Sequence, residues 1–417
     1  DTFRDARAAN MVLQGKAVYA DFYYEYGFLT PYLLAVIIAI FGDGYLTFAM
    51  TGLTVSILML LALYGISSKV TSISATLCTL SAFIVVFAFG CYRYHAIFNF
   101  IVPYSFAMIF FVLSAALALL SMLRDIECRR ISDSVSFFLC LVIAALIRPD
   151  MYLPLVCGIV IASILCLATA RGRPDLRAAA IRYSLIALLS AGASATAYLV
   201  YLWTISSFAG FEQSVIALLR NTGSGQYSQL LSGLADPASN IVVSLKSFII
   251  QAVCICGLVA GTYVALKGGI IRIALGSFMV CALLGAWWMV IARNEMAYWC
   301  MWLIIIIMLF IECARLWLNG SLMPVKRMYL CVFALALLTR IIIACSPASH
   351  GFALMTLGLV CYYAFLMEDI PSLLCRKLNV ELNAKYQAVL IIMMVMPILC
   401  YYRASSVVYG QKCIPVE

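Results

Sequence analysis

Along the chain, apolar runs long enough or nearly long enough to cross a bilayer alternate with short charged punctuation. They cover about residues 45–66, 71–90, 104–123, 134–147, 151–170, 183–205, 241–266, 274–292, 298–314, 328–345, 352–367 and 386–402. A spanning helix needs about 20 predominantly apolar residues, so these runs predict an all-α, polytopic membrane helix bundle of about 12 spans. They lack the two-residue alternation of a membrane barrel. The run 134–147 is short, and Arg148-Pro149-Asp150 divides it from the next. Pro and two charges do not continue a lipid-facing helix, so a tight turn at the membrane surface is expected there.

Composition narrows the class. Of 417 residues, 65% are hydrophobic and 11% charged, with a mean hydropathy of +1.06. A soluble domain carries about 25% charged residues. This chain cannot cover a water-facing surface, which excludes a soluble enzyme, a disordered chain and a nucleic-acid reader. The lipid bilayer is the partner the composition demands. The 17 Cys are scattered through apolar runs without a CxxC pair. They act as small hydrophobes rather than a disulfide framework or zinc site.

The net charge of +9 reads as the positive-inside bias of cytoplasmic loops. Taking alternate loops, one face receives Lys69, Arg124, Arg129, Arg130, Arg171, Arg173, Arg177, Arg182, Lys267, Arg272, Arg315, Lys326, Arg327, Arg376, Lys377 and Lys385. Those are 16 of the 27 basic residues, so this face is expected to be cytoplasmic. The outer segments are then 92–103, 148–150, 206–240, 293–297, 346–351 and the tail from about 404. Residues 28–42, with Pro31 near their start, are short for a span and read better as an interfacial or re-entrant helix. That puts residues 1–27 outside. If the run does span, they lie inside, and charge mildly favours that option. An outside N-terminus needs something upstream to export it, most simply one further transmembrane helix before Asp1.

The first 27 residues are the most polar stretch of comparable length, with Asp1, Arg4, Asp5, Arg7, Lys16, Asp21 and Glu25 among six aromatics. Asp1, Arg4 and Asp5 have i, i+3 and i+4 spacing and share one face of a helix. An acid beside a guanidinium stays ionised and accepts a proton from a hydroxyl, while Arg holds a phosphate bidentately. The plainer alternative is an amphipathic interfacial helix whose charges only face water.

The order Asp1-x-x-Arg4, Ala9 through Gly15, Tyr19-Ala20-Asp21-Phe22-Tyr23-Tyr24-Glu25-Tyr26-Gly27, Thr30-Pro31-Tyr32-Leu33 and Phe41-Gly42 resembles the first extracytoplasmic loop of the C-type (GT-C) membrane glycosyltransferases. These include protein O-mannosyltransferases, lipid A aminoarabinose transferases and bacterial lipopolysaccharide sugar transferases. The specific match covers about 42 residues; beyond it, Asn99 through Ser105 and Arg148-Pro149-Asp150 recur in looser form in such proteins. The resemblance implies one helix before this loop, two juxtamembrane helices within it, and a sugar donor carried on polyprenyl phosphate. It therefore favours residues 1–27 lying outside. It divides the chain into a catalytic loop, 1–42, and a transmembrane bundle, 43–417, with a longer outer loop at 206–240. Two departures weaken the transfer of an exact substrate. Asp1 is followed by Thr2 where many relatives carry a second acid or an Arg-Tyr opening, and Tyr26-Gly27 stands where aminoarabinose transferases have Lys-Pro.

By this resemblance Asp1 is the acid that orients or deprotonates the acceptor hydroxyl, and Arg4 is the nearest cation for the leaving phosphate. Asp21 and Glu25 are candidates for sugar hydroxyls or a divalent metal ion of unassigned identity, and Tyr24 beside them joins the substrate-binding set. Lys246, early in 241–266, either snorkels to the interface or faces the site. Arg340, inside 328–345 and about five residues from its outer end, suits a phosphate-facing role. Arg293 and Glu295 read as a short turn whose charges are expected only to pair with each other. His95 and His350 fall on the outer face as loop hydrogen-bonders or ligands, with His350 kept as a substrate-binding candidate. The Gly-rich part of 206–240 lacks the Gly-Lys-Ser/Thr of a nucleotide loop and reads as a lid or packing element. The function expected is sugar transfer from a polyprenyl-phosphate donor to an extracytoplasmic glycan, lipid or protein acceptor in a bacterial plasma membrane. A polysaccharide polymerase or ligase, expected to use a large late loop, and a transporter or flippase, expected to show repeated halves, are the alternatives.

Overall fold

The computed structural model describes residues 2–92, 99–170, 173–205, 208–210, 212–213, 236–266, 272, 275–283, 285, 298–319, 321–341, 345–346, 351–373 and 384–412. Helices α1 (Thr2–Leu13) and α2 (Leu29–Phe41) are followed by α3 (Tyr45–Val70) and α4 (Ile73–Ala82), which continues as a π-helix over Phe83–Ala88. Next come α5 (Phe106–Cys128), α6 (Ile131–Ile147), α7 (Pro149–Thr169), α8 (Pro174–Ile205) and α9 (Pro237–Leu266). Helices α10 (Met301–Asn319), α11 (Leu322–Leu338), α12 (Thr356–Ala364) and α13 (Ala384–Lys412) complete the described chain. The protein is an all-α polytopic bundle, and among the described residues eight helical segments are long and apolar enough to cross a membrane.

Helices stand where the apolar runs lie, with informative shifts; of the run 274–292, residues 275–283 and 285 are described and helical, and the rest lies outside the described residues. Helix α8 starts nine residues before its run, because Pro174 fits the first helical position and Asp175 suits the positive end of the helix dipole. The run 328–345 breaks instead of continuing. Helix α11 begins at Leu322, carries Lys326 and Arg327 in its first turns, and ends at Leu338. Arg340 therefore sits in the turn after the helix, not within a span.

The two ends of the bundle differ in chemistry. At one end Glu127 holds both Lys69 and Lys326, while Arg327 meets Glu312, Glu368 and Asp369. Asp125 meets Arg182, and Asp175 meets Arg129 and Arg173. These are residues of the loops that charge counting assigns to a single face, and the fold gathers them at one basic end.

The N-terminal segment packs at the opposite end. Gly27 N–H donates to the carbonyl of Ile147 at the close of α6 (2.9 Å), and Asn10 in α1 donates to Asp43 just before α3. Helix α2 thus begins and ends at the same end of the bundle and does not cross it. Residues 2–27 lie opposite the basic end, the arrangement expected when 28–42 is an interfacial or re-entrant helix.

Candidate functional site

Helix α1 is amphipathic in a specific way. Its buried positions Asp5, Ala8 and Ala9 follow helical spacing, and the two alanines allow close approach. Asp5 is fully buried. Its carboxylate accepts from the Tyr24 hydroxyl (2.9 Å), the Ser105 hydroxyl (3.0 Å) and the Phe106 N–H (2.7 Å). The last is an N–H at the first turn of α5, which has no intrahelical partner. Asp5 therefore caps α5 from another helix and fixes α1 on the bundle. Burial raises its pKa above the ordinary carboxylate value, against the pull of Arg4 and these donors.

The loop from α1 to α2 is pinned at three places. Tyr19 adopts φ +70°, its N–H donates to Phe22 O at 2.9 Å, and its hydroxyl donates to the carbonyl of Tyr26. Tyr24 packs edge-on against Tyr26 at 5.6 Å. Gly27 lies so close to α6 that a Cβ there would fall 1.9 Å from the carbonyl oxygen of Leu146. Only glycine permits that approach, and it sets Tyr26 beside Arg148.

Arg148 is fully buried between α6 and α7. It grips Asp150 with two hydrogen bonds, Nε to Oδ1 at 2.9 Å and Nη2 to Oδ2 at 2.5 Å. Its guanidinium carbon lies 4.2 Å from the centre of the Tyr26 ring, and that of Arg4 lies 4.8 Å from the same ring, a cation–π arrangement. Arg4 also donates to Glu25 Oε2 (2.6 Å) and to the Tyr26 hydroxyl (3.0 Å). Arg340 reaches Asp150 Oδ2 at 3.3 Å. Burial opposes the Arg4 and Arg148 charges, but Tyr26, Asp5 and Glu25 around Arg4, and Asp150 beside Arg148, outweigh it and hold both pKa values above the usual one.

Three arginines thus converge on one tyrosine and its acidic neighbours. Arg148 is enclosed, whereas the side chains of Arg4, Arg340 and Glu25 are 29%, 34% and 37% exposed. Arg4 Nε is buried and has no hydrogen-bond partner among the described residues. The arrangement offers two accessible cations on a rigid, charge-paired floor, which is the geometry that an anionic group needs.

Of the residues singled out in the sequence, the fold brings together Arg4, Tyr24, Glu25 and Arg340. Tyr24 is buried, with its hydroxyl committed to Asp5. Asp21 is exposed and accepts the Ala17 N–H at 2.7 Å, closing its own turn. Lys246 lies on the exposed surface of α9 and does not join this network among the described residues. Asp1, His95, His350, Arg293, Glu295 and most of the 206–240 loop lie outside the described residues. Among the described residues no three His, Cys, Asp or Glu side chains gather around a possible metal position. Sequence reasoning missed Tyr26 and Arg148 as site members. The available signal was two charges and a proline between apolar runs, which marks an ionisable group at membrane depth.

No family model, curated protein or solved structure matches the chain, so the site is read from its own chemistry.

Proposed function

We propose that the chain is an integral-membrane glycosyltransferase that moves a sugar from a polyprenyl-phosphate donor to an extracytoplasmic glycan, lipid or protein acceptor. The observation that carries this reading is the pair of accessible guanidiniums, Arg4 and Arg340, drawn from opposite ends of the chain to the Tyr26–Arg148–Asp150 floor. In the reaction the acceptor hydroxyl oxygen attacks the anomeric carbon. The bond from that carbon to the phosphate oxygen breaks, and its electron pair leaves with the lipid phosphate. The hydroxyl proton passes to a carboxylate, for which Asp1, three residues before Arg4, is the candidate. A lone base suffices, since the phosphate is already a good leaving group. Positive charge where negative charge develops supplies much of the catalysis, and Arg4 and Arg340 are placed to supply it. Glu25, held by Arg4, is suited to a sugar hydroxyl, and a divalent ion remains compatible with Asp21 and Glu25.

On this reading the bundle has about twelve spans with a further one upstream. Residues 1–42 form the first outer loop with its juxtamembrane helices, and the site faces the extracytoplasmic side of a bacterial plasma membrane. The test is transfer of labelled sugar from a defined polyprenyl-phosphate donor in liposomes containing the full-length protein. Turnover that depends on Arg4 supports the reading. Absence of transfer from a panel of such donors, with the protein folded, overturns it.

A further inference from the structure

The chain just before Gly27 alternates in its exposure. Tyr24 and Tyr26 are buried, whereas Tyr23 and Glu25 turn outward. In a segment that alternates this way, residues two apart share a side, so Tyr23 and Glu25 lie together on the open side of the site. Tyr23 is 49% exposed, and its hydroxyl makes no hydrogen bond among the described residues. Burial and the Glu25 carboxylate raise its pKa while Arg4 lowers it, so the phenol stands within electrostatic reach of both and stays a donor at neutral pH. Glu25 gives only Oε2 to Arg4, at 2.6 Å, and its Oε1 has no hydrogen bond among the described residues.

A ring that only anchors a loop at the bilayer interface needs apolar company below and water above. Tyr23 instead combines an open aromatic face with an open carboxylate oxygen and a guanidinium. That combination matches a pyranose. One face of the sugar ring carries C–H groups and suits an aromatic surface, and its edge carries hydroxyls that donate to a carboxylate. Arg4 joins the two demands, because the guanidinium that holds Glu25 is also the one offered to the phosphate. In a sugar phosphate the ring is tied to phosphorus through a single oxygen, so the ring and the phosphate must be neighbours.

We propose that Tyr23 is a specificity-determining residue: the donor sugar lays its C–H face on the Tyr23 ring and donates a hydroxyl to Glu25 Oε1. The subsite takes a neutral pyranose and rejects a uronic acid, which brings a second carboxylate beside Glu25. This rests on the glycosyltransferase reading and adds to it the class of sugar and the residue that selects it.

The test is equilibrium binding, to the full-length protein in detergent, of three short-chain prenyl phosphates: bare, glucosyl and glucuronosyl. The protein should bind the glucosyl lipid at least about tenfold more tightly than the glucuronosyl one. Tyr23→Ala should weaken the glucosyl lipid by about tenfold and the bare lipid by less than about threefold. Tyr23→Phe keeps the ring and should retain most of the affinity, and Glu25→Gln should narrow the gap between neutral and acidic sugars. Tyr45→Ala removes an exposed tyrosine at the start of α3, at the same end of the bundle, and should change none of the three. Thermal unfolding checks that each variant is folded. Equal losses of bare and glucosyl lipid in folded Tyr23→Ala, or equal binding of the two glycosylated lipids by the unaltered protein, overturn the proposal and leave the phosphate site standing. Failure of the unaltered protein to bind any of the three overturns the glycosyltransferase reading, and this subsite with it.

Discussion

The guanidinium of Arg148 lies 4.2 Å from the centre of the Tyr26 ring, joining residues 122 positions apart and tying the N-terminal loop to the hinge between α6 and α7. The same guanidinium grips Asp150, and Asp150 in turn receives Arg340. The charge is paired on one side and capped by an aromatic face on the other, so a fully buried arginine is tolerated here.

This arrangement makes the pair costly to break and cheap to replace. Arg148→Met should destabilise the protein by about 3–5 kcal/mol, because it leaves the Asp150 carboxylate buried without its main partner. Arg148→Met combined with Asp150→Leu should recover much of that loss, since an apolar pair of similar volume needs no desolvation. Thermal unfolding in detergent measures both. If the double variant were no better than the single one, the pair would owe its role to geometry rather than charge balance.

Asp5→Asn should cost about 1–3 kcal/mol, because the amide offers one acceptor where three donors converge. The pH dependence has a defined sign. Burial raises the Asp5 pKa, so the folded protein holds this proton to higher pH than the unfolded chain. The group's contribution to stability is therefore greatest below the ordinary carboxylate range and declines as pH rises through the window up to the folded value. Asp5→Asn should flatten that decline. Unfolding midpoints followed from pH 4 upward check this, and an unchanged slope would place the titration elsewhere.

If the glycosyltransferase reading holds, Arg4→Ala and Arg340→Ala should each lower turnover by about tenfold or more, from lost contacts to a charged group. Arg124→Ala at the basic end should not. Asp1→Asn should lower turnover by about 10²–10⁴ while leaving donor binding less affected. Steady-state transfer and donor binding, measured on the same preparations, separate these effects. Equal losses in all four variants would indicate damaged folding.

Position also has a direct readout. Lys16 is exposed in the loop after α1, and Arg130 is exposed at the basic end. In the full-length protein, Lys16→Cys should react with an impermeant thiol reagent added outside intact cells. Arg130→Cys should react only after the membrane is opened. Native cysteines set the background to be subtracted. The reverse pattern would turn the bundle over and remove the proposed site from the outer face.

The helices were legible because lipid-facing segments announce themselves by composition over some twenty residues. Their terminations were less so. The apolar run through Arg340 contains no sequence break, and only the earlier start of α11 at Leu322 moves Arg340 into a turn. The Arg4 and Glu25 candidates were readable as a polar patch, and the fold does pair them. The role of Asp5 was not readable. Spacing places it on a charged face with Arg4, yet it turns inward because Ser105 and Phe106, a hundred residues away, supply donors that local pattern cannot foresee. Tyr26 is one aromatic among several in the sequence, and only the fold sets Arg148 beside it.

Helix α2 has thirteen residues, a length of about 20 Å, against a hydrocarbon core of about 30 Å. It keeps Val36, Ile40 and Phe41 exposed and returns to the end it started from. A thirteen-residue apolar helix that does not cross can bury such a face only in the near layer of lipid, so it holds the loop carrying Glu25 at the level of the membrane surface.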